Sequence, residues 1–372
     1  MKKAILATVL TMCFVNPTLA EIRINGFANF IGGMTGNEDT VYGYDDTFSF
    51  REESLFALQA SGDINDRMSA TVQILSRGQD DYNVEFEWAY LTYRVSNNVT
   101  ATAGRFRLPL FRYSDSLDVG YSYHWIAAPR NVYDIPFNNM DGIRLDYSDY
   151  MGDWEVKFGS ALGTFDNEVF GGNIKGDNTY MFSAEMSNEW LSLRGVYGAT
   201  KATFNQETVN ATIAQIAQLT PDFANFLAIN EDTGQFIGVG LEIDQFTWFL
   251  SVEYTEVEIE KSYTPTDKAW YVSAGLRLDK WTPSITFEKF EGDEIKGLDE
   301  LNAQPEAIRP ALIAGLQGLN AAFAQKYTVG SASLRYDYAA NIAIKVEVSR
   351  YSDDLVIDGD ATLTRFAINY MF

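Results

Sequence analysis

Val84-Glu85-Phe86-Glu87-Trp88-Ala89-Tyr90-Leu91-Thr92-Tyr93-Arg94-Val95 leads through Ser96-Asn97-Asn98 into Val99-Thr100-Ala101-Thr102-Ala103-Gly104-Arg105-Phe106-Arg107. In the first half Val84, Phe86, Trp88 and Tyr90 alternate with Glu85 and Glu87. An apolar face and a polar face repeating every two residues mark a half-buried strand. Ser-Asn-Asn supplies the turn residues that join antiparallel neighbours. Successive side chains of a strand point to opposite faces, so Arg105 and Arg107 share one side.

The same pattern extends in both directions. Phe48, Phe50, Phe56, Leu58 and Ala60 alternate with Arg51, Glu53 and Gln59; Trp154, Val156 and Phe158 alternate with Glu155 and Lys157. Sixteen such segments are predicted, at 21–33, 48–61, 68–78, 84–95, 99–107, 141–148, 153–162, 178–187, 190–200, 235–244, 246–257, 268–278, 282–290, 326–337, 342–351 and 361–372. Their connections alternate in length. Short turns such as Gly62 to Asp66, Ser96 to Asn98, Ser187 to Glu189 and Asp244-Gln245 separate long connections at 34–47, 108–140, 163–177, 201–234, 258–267, 291–325 and 352–360, with a briefer one at 79–83. A soluble sandwich has no reason to place every long loop at one end, whereas an outer-membrane barrel does. The expected fold is all-β: a transmembrane antiparallel β-barrel of about sixteen strands, formed by residues 21–372 as one domain.

Composition agrees. Lys2 and Lys3, the apolar run Ala4 to Val15 and the small Ala20 read as a secretory signal cleaved after residue 20. The apolar run is too short for a membrane helix, which needs roughly 20 residues. Met12 is too large for the position before a lipoprotein's modified Cys13, so residues 21–372 carry no thiol. Without the two leader lysines, 26 basic residues stand against 51 acidic ones, a net charge of −25. Such a surface repels nucleic acid. The 21 Tyr and 25 Phe favour strands over helices.

The chain resembles the Gram-negative outer-membrane porins over its whole length after the leader. The resemblance rests on the signal, the sixteen segments and the ending Arg365-Phe366-Ala367-Ile368-Asn369-Tyr370-Met371-Phe372. It implies a homotrimer in outer-membrane lipid of a Gram-negative bacterium. Phe366, Ile368, Tyr370 and Phe372 would form the sorting signal read by the barrel-assembly machinery. It also implies that the third long loop, 108–140, folds inward to narrow the pore. Gly104-Arg105-Phe106-Arg107-Leu108-Pro109 is similar to the strand end that precedes that loop. The acidic loop motif of the enterobacterial general porins is absent, so eyelet residues do not carry over singly.

Strand parity places twelve basic and ten acidic residues on polar faces, among them Arg77, Glu85, Glu87, Arg105, Arg107, Arg144, Arg194, Arg277, Arg335, Lys345 and Arg365. Charge is kept off the apolar faces, where a midplane Arg or Lys would cost ~2–4 kcal/mol. Arg105 and Arg107 read as half of a charge ladder facing Asp115, Asp118 or Asp134 of the loop, or as wall residues pairing with Glu85 and Glu87. His124, the only histidine, lies among aromatics without a recognisable nucleophile motif, which argues against hydrolytic chemistry. Val209, Ile213, Ile216 and Leu219, and Ile308, Leu312, Leu316, Leu319 and Phe323, recur at helical spacing in two long loops. Those helices would pack on the rim or form a lid. The acid pairs of the outer loops read as solvated faces. Together these features point to passive diffusion of small hydrophilic solutes and ions, with no cofactor implied. The alternatives are an anion- or sugar-selective channel and a barrel that serves as adhesin or receptor.

Overall fold

A computed structural model describes residues 22–36, 39–169, 171–356 and 359–372; the leader and its cleavage position lie outside them. Sixteen strands occur among the described residues: β1 (Ile22–Thr35), β2 (Leu55–Asn65), β3 (Met68–Arg77), β4 (Val84–Arg94), β5 (Val99–Arg107), β6 (Asn139–Met151), β7 (Trp154–Val169), β8 (Gly172–Ser187), β9 (Leu191–Asn205), β10 (Asn230–Asp244), β11 (Trp248–Ile259), β12 (Asp267–Leu276), β13 (Trp281–Gly292), β14 (Gln325–Ala339), β15 (Ile342–Asp353) and β16 (Ala361–Met371). Each pairs antiparallel with its sequence neighbours, and β16 pairs with β1 to close the barrel. Closure leaves no strand edge, the condition for crossing hydrocarbon with strands. No helix among the described residues is long and apolar enough to cross a membrane.

Parity decides which face is wet. Phe86, Leu162 and Ile285 are about two-thirds exposed on the outer surface, joined by Phe30, Phe56, Ile143, Phe158, Phe182 and Val346. A soluble protein does not present so continuous an apolar belt, and lipid would cover it. Tyr93, Tyr150, Trp190, Trp248, Trp281 and Tyr338 ring the short-turn end, the position of an interfacial aromatic girdle. Their inward neighbours are polar or charged: Gln73, Glu87, Glu253, Ser273, Glu347, Arg365 and Asn369.

Two expectations fail. Residues 163–177 are strand rather than long loop: β7 and β8 stay paired as far as Val169 and Gly172. The alternation is interrupted by an irregularity at Gly163/Phe165, and Gly171 turns the chain at φ +67°. A bulge shifts the hydrophobic pattern, so the far half of the hairpin no longer reads as a strand. The second strand starts at Leu55 rather than residue 48. There Ser54 Oγ takes the hydrogen bond of Ile31 N at 2.9 Å in place of ladder pairing. Arg51 consequently leaves the wall and pairs with Asp81 on the outer loops.

Helices occupy three of the loops: α1 (Arg130–Tyr133), α2 (Glu207–Leu219), α3 (Pro221–Leu227), α4 (Leu298–Asn302) and α5 (Arg309–Phe323). Pro221 and Pro310 lie in first turns, where the missing N–H costs nothing. Val209 and Ile216 of α2 pack with Phe223 and Leu227 of α3, and with Leu312, Leu316 and Leu319 of α5, as a second apolar core. Leu219 stays exposed.

The last strand carries its aromatics outward. Phe366, Tyr370 and Phe372 are exposed and Ile368 is half-buried. Phe372 stacks on Phe56 at 6.1 Å, and its backbone exchanges hydrogen bonds with Gly26 at 2.9 and 3.0 Å. Deleting Phe372 removes the final rung of closure. It is expected to lower the amount of heat-modifiable folded barrel in membranes; unchanged levels would contradict this.

Candidate functional site

The segment between β5 and β6 runs inside the barrel and touches most of its wall. Arg194 of β9 donates to Pro109 O. Arg112 pairs with Glu242 of β10, and its backbone N–H donates to Glu253 of β11 at 3.1 Å. Glu253 also accepts from Tyr133 Oη and, at 2.7 Å, from Tyr271 Oη of β12. Trp125 Nε1 donates to Ser273 Oγ at 3.2 Å and Thr286 Oγ1 at 2.9 Å. Arg335 of β14 holds the carbonyls of Tyr121 (2.6 Å) and Tyr123 (2.8 Å). Lys345 of β15, wholly buried, holds those of Gly120 and Trp125.

These anchors follow from the wall's parity. Each is a charged or hydroxyl side chain on an inward position: Arg194, Arg335 and Lys345 donate to backbone carbonyls of the loop, while Glu242, Glu253, Ser273 and Thr286 accept from its N–H and O–H groups. Behind them Leu110, Phe111, Trp125, Val132 and Tyr133 pack on Phe236 and Tyr271. An aromatic core thus packs between the loop and the wall from β5 to β12, and the polar path lies along β1–β6.

Two chambers lie on that path. The loop-side chamber, about 770 Å³, is lined by Glu53, Arg77, Glu85, Arg105, Asp118 and Asp134 among others. The turn-side chamber, about 860 Å³, is lined by Gln59, Gln73, Tyr90, Asp115 and Arg144 among others. Arg107 borders both. Its guanidinium pairs with Glu87 and, at 2.7 Å, with Asp118 of the inward loop. Arg77 reaches Glu85, Glu87 at 3.1 Å and Asp118 at 3.4 Å. Asn139 Nδ2 donates to Glu87 at 2.8 Å. The two arginines and three acids form one closed network where the chambers meet, with Arg107 and Glu87 about one-twentieth exposed.

The remaining sequence-derived candidates are dispersed. Arg105 pairs with Asp141 at 3.4 Å, not with a loop acid, and lines the loop-side chamber. Asp134 pairs with Arg130 at 2.7 Å on that side. Asp115 faces the opposite chamber, which Arg144 shares while bonded to Asp146 at 2.8 Å. The expected ladder of Arg105 and Arg107 against Asp115, Asp118 and Asp134 therefore narrows to Arg107 against Asp118. Asp115 lies in the helical turn Ser114–Ser116, Asp118 between that turn and the one at Gly120–Ser122, and Asp134 at the end of α1, so the three acids stand at different places along the loop. Arg277 lies at the short-turn rim, paired with Asp244 at 2.6 Å. Arg194 and Arg335 pin the loop's backbone. Lys345, Glu253, Arg112 and Arg130 were not singled out from the sequence; parity put Lys345 and Glu253 on the wet face, but nothing local reports what a distant loop will bring to them.

His124 has a serine partner after all: its Nε2 lies 2.9 Å from Ser273 Oγ. Both residues are buried, and the same Oγ also contacts Trp125 Nε1 and Thr286 Oγ1. A hydroxyl so occupied and enclosed has no room to meet a substrate. Burial, reinforced by Lys345, Arg335 and Arg277, pushes the imidazole well below the usual histidine range. The folded chain keeps it neutral, while the unfolded chain protonates it as pH falls through ~6.5. Stability is therefore full above that pH and lost below it, by up to about 1.4 kcal/mol per pH unit for this proton. His124→Gln is expected to flatten the fall in unfolding midpoint between pH ~6.5 and ~5; an unaltered slope would contradict it.

Comparison with solved structures follows the same lines. DcaP, an outer membrane channel of Acinetobacter baumannii, superposes with a TM-score of 0.59 at 13% identity, covering 96% of this chain and 99% of its own. Salmonella typhi OmpF, solved with daunomycin, gives 0.58 at 12%, covering 96% and 99%. The fold is that of the sixteen-stranded outer-membrane porins. OmpT of Vibrio cholerae in its trimer form gives 0.55 at 10%, covering 95% and 99%. No protein-family model and no curated protein matches the chain. At these identities it is the porin barrel, not a particular porin's residues, that is shared.

Proposed function

We propose that this chain is an outer-membrane porin of a Gram-negative bacterium, a water-filled channel for passive diffusion of small hydrophilic solutes and ions. One observation carries this reading. A closed barrel with an apolar exterior encloses two polar chambers that meet at the Arg77, Arg107, Glu85, Glu87 and Asp118 network, which Asp118 of an inward loop completes. A charged, hydrogen-bonded constriction favours hydrated solutes over apolar ones. The locked His124–Ser273 pair gives no support to a catalytic role.

The leader supports export with cleavage after Ala20, and the exposed belt supports lipid as the surrounding medium. The outward Phe366, Ile368, Tyr370 and Phe372 support recognition by the barrel-assembly machinery. The trimer form of the structurally similar Vibrio protein supports a homotrimer. Vesicles carrying the folded protein are expected to swell in isotonic sugars at rates that fall with solute size from glycerol through glucose to sucrose. Swelling no faster than protein-free vesicles would overturn the proposal.

A further inference from the structure

A third cavity of about 720 Å³ opens on the loop side, and its character differs from the polar path. Phe137 lies between Phe165 and Phe236, at ring distances of 5.6 and 6.1 Å. Phe290 stacks on Tyr327 at 5.3 Å, and Phe323 meets Tyr263 at 5.2 Å. All of these rings line the cavity. Tyr263 and Phe323, together with Phe204 and Ile229, also belong to or pack on the core of the α2–α5 cap. The cap therefore forms one wall of the cavity.

Within this apolar lining stand polar atoms that the fold leaves unsatisfied. Tyr42 Oη, Tyr263 Oη and Asn131 Oδ1 are buried without a hydrogen-bond partner in the protein. The Asn131 amide is oriented by its other end, since Nδ2 donates to Trp270 O at 2.7 Å and Lys289 O at 3.0 Å. Buried polar groups are almost always paired, so three unpaired atoms on residues that line one cavity are available to a guest once their side chains turn toward it. The charged lining residues are Arg130, Asp134, Glu258 and Asp267. Arg130 pairs with Asp134 and Lys296 with Glu258, whereas Asp267 makes no ion pair among the described residues. With Lys296 counted, these groups balance to one negative charge whenever Asp267 is ionised. A ligand pocket holds a mostly apolar lining with a few placed polar groups in about 300–1,000 Å³, and this cavity has that make-up.

We infer that the cavity under the helical cap is a binding site for an uncharged or singly cationic amphiphile with an aromatic or branched apolar body and hydrogen-bonding groups. Tyr263 and Tyr42 exchange hydrogen bonds with its hydroxyl or amine, Asn131 Oδ1 accepts one, and Asp267 selects against anions. Such a solute would be held beside the polar path, giving the channel a preference that size exclusion alone does not.

The test is equilibrium titration of quinine, 2-naphthol and anilinonaphthalene sulfonate into the folded full chain in detergent at pH 8, where Asp267 is ionised, with protein-free micelles subtracted. Quinine and 2-naphthol should bind saturably, at one site per chain, and the sulfonate much more weakly. Tyr263→Phe, which keeps the ring, should weaken both binders by about fivefold, the worth of one hydrogen bond. Asp267→Asn should weaken quinine and leave 2-naphthol unchanged. Heat-modifiability confirms that each variant is folded. Absence of saturable binding, sulfonate binding as tight as quinine, or affinities indifferent to both substitutions would overturn the inference. Equilibrium binding needs no conductance, so such a failure is separate from failure of the channel reading.

Discussion

Deleting Ser114–Tyr123 is expected to raise single-channel conductance severalfold while leaving a folded oligomer. This stretch carries the inward loop across the lumen to β1, β14, β15 and β16. Asn29 Nδ2 donates to Asp118 O at 2.8 Å, and Arg335 and Lys345 hold the carbonyls of Tyr121, Tyr123 and Gly120. Its removal also takes Asp118 from the ion network. What stays is charge-balanced, Arg77 and Arg107 against Glu85 and Glu87, all on adjoining strands. The barrel's own ladder is untouched, and a structure whose backbone bonds lie between strands keeps its wall when a lumenal segment is lost. Conductance unchanged in a folded deletion would place the constriction elsewhere.

Arg107→Gln is the substitution with the largest expected cost to stability. Its guanidinium bridges Glu87 and Asp118, and both ends of the Arg107–Glu87 pair are almost wholly buried. Removing one partner of a buried pair leaves an uncompensated charge, at about 3–5 kcal/mol. Arg77 and Asn139 still reach Glu87, which places the expected loss toward the lower end of that range. The double variant Arg107→Gln/Glu87→Gln removes one charge of each sign and should recover a large part of the loss, because partners in one network do not act additively. Urea unfolding in detergent or vesicles measures both. Equal losses in the single and double variants would mean that the network is not an electrostatic unit.

The fold was legible because a barrel wall obeys one rule along its whole length. Lipid on one side and water on the other force period-two alternation, so segments such as 84–95 and 361–372 declare themselves locally. The rule fails where the chain leaves the bilayer. Residues 163–177 pair as strand beyond a bulge, with Asp166, Asn167 and Glu168 breaking the apolar face. Residues 48–54 alternate but fold away to bring Glu53 to Arg365, with contacts of 2.7 and 2.9 Å. Of the candidate site, parity alone brought Glu85, Glu87, Arg77 and Arg107 to one side of neighbouring strands. The choice of Asp118 over Asp115 or Asp134 depended on where the loop's helical turns and α1 set each acid, and the partners of Lys345 and His124 lie 149 to 225 residues away along the chain or arise from the loop's path, which no local pattern encodes.

The most direct measurement is the ionic current through the folded chain in a planar bilayer, with reversal potentials taken across a salt gradient. Most acidic excess lies on the loops and turns, while the network proposed as the constriction sets two arginines against three acids. At about 0.15 M salt charges beyond roughly 8 Å are largely screened, so the distant loops contribute little there. Expected are discrete conductance steps with a weak preference for cations, growing as salt is lowered and the acidic mouths come into range. An absence of conductance steps from verified folded protein, or a strong cation preference that salt does not alter, would contradict a near-balanced constriction in an open channel.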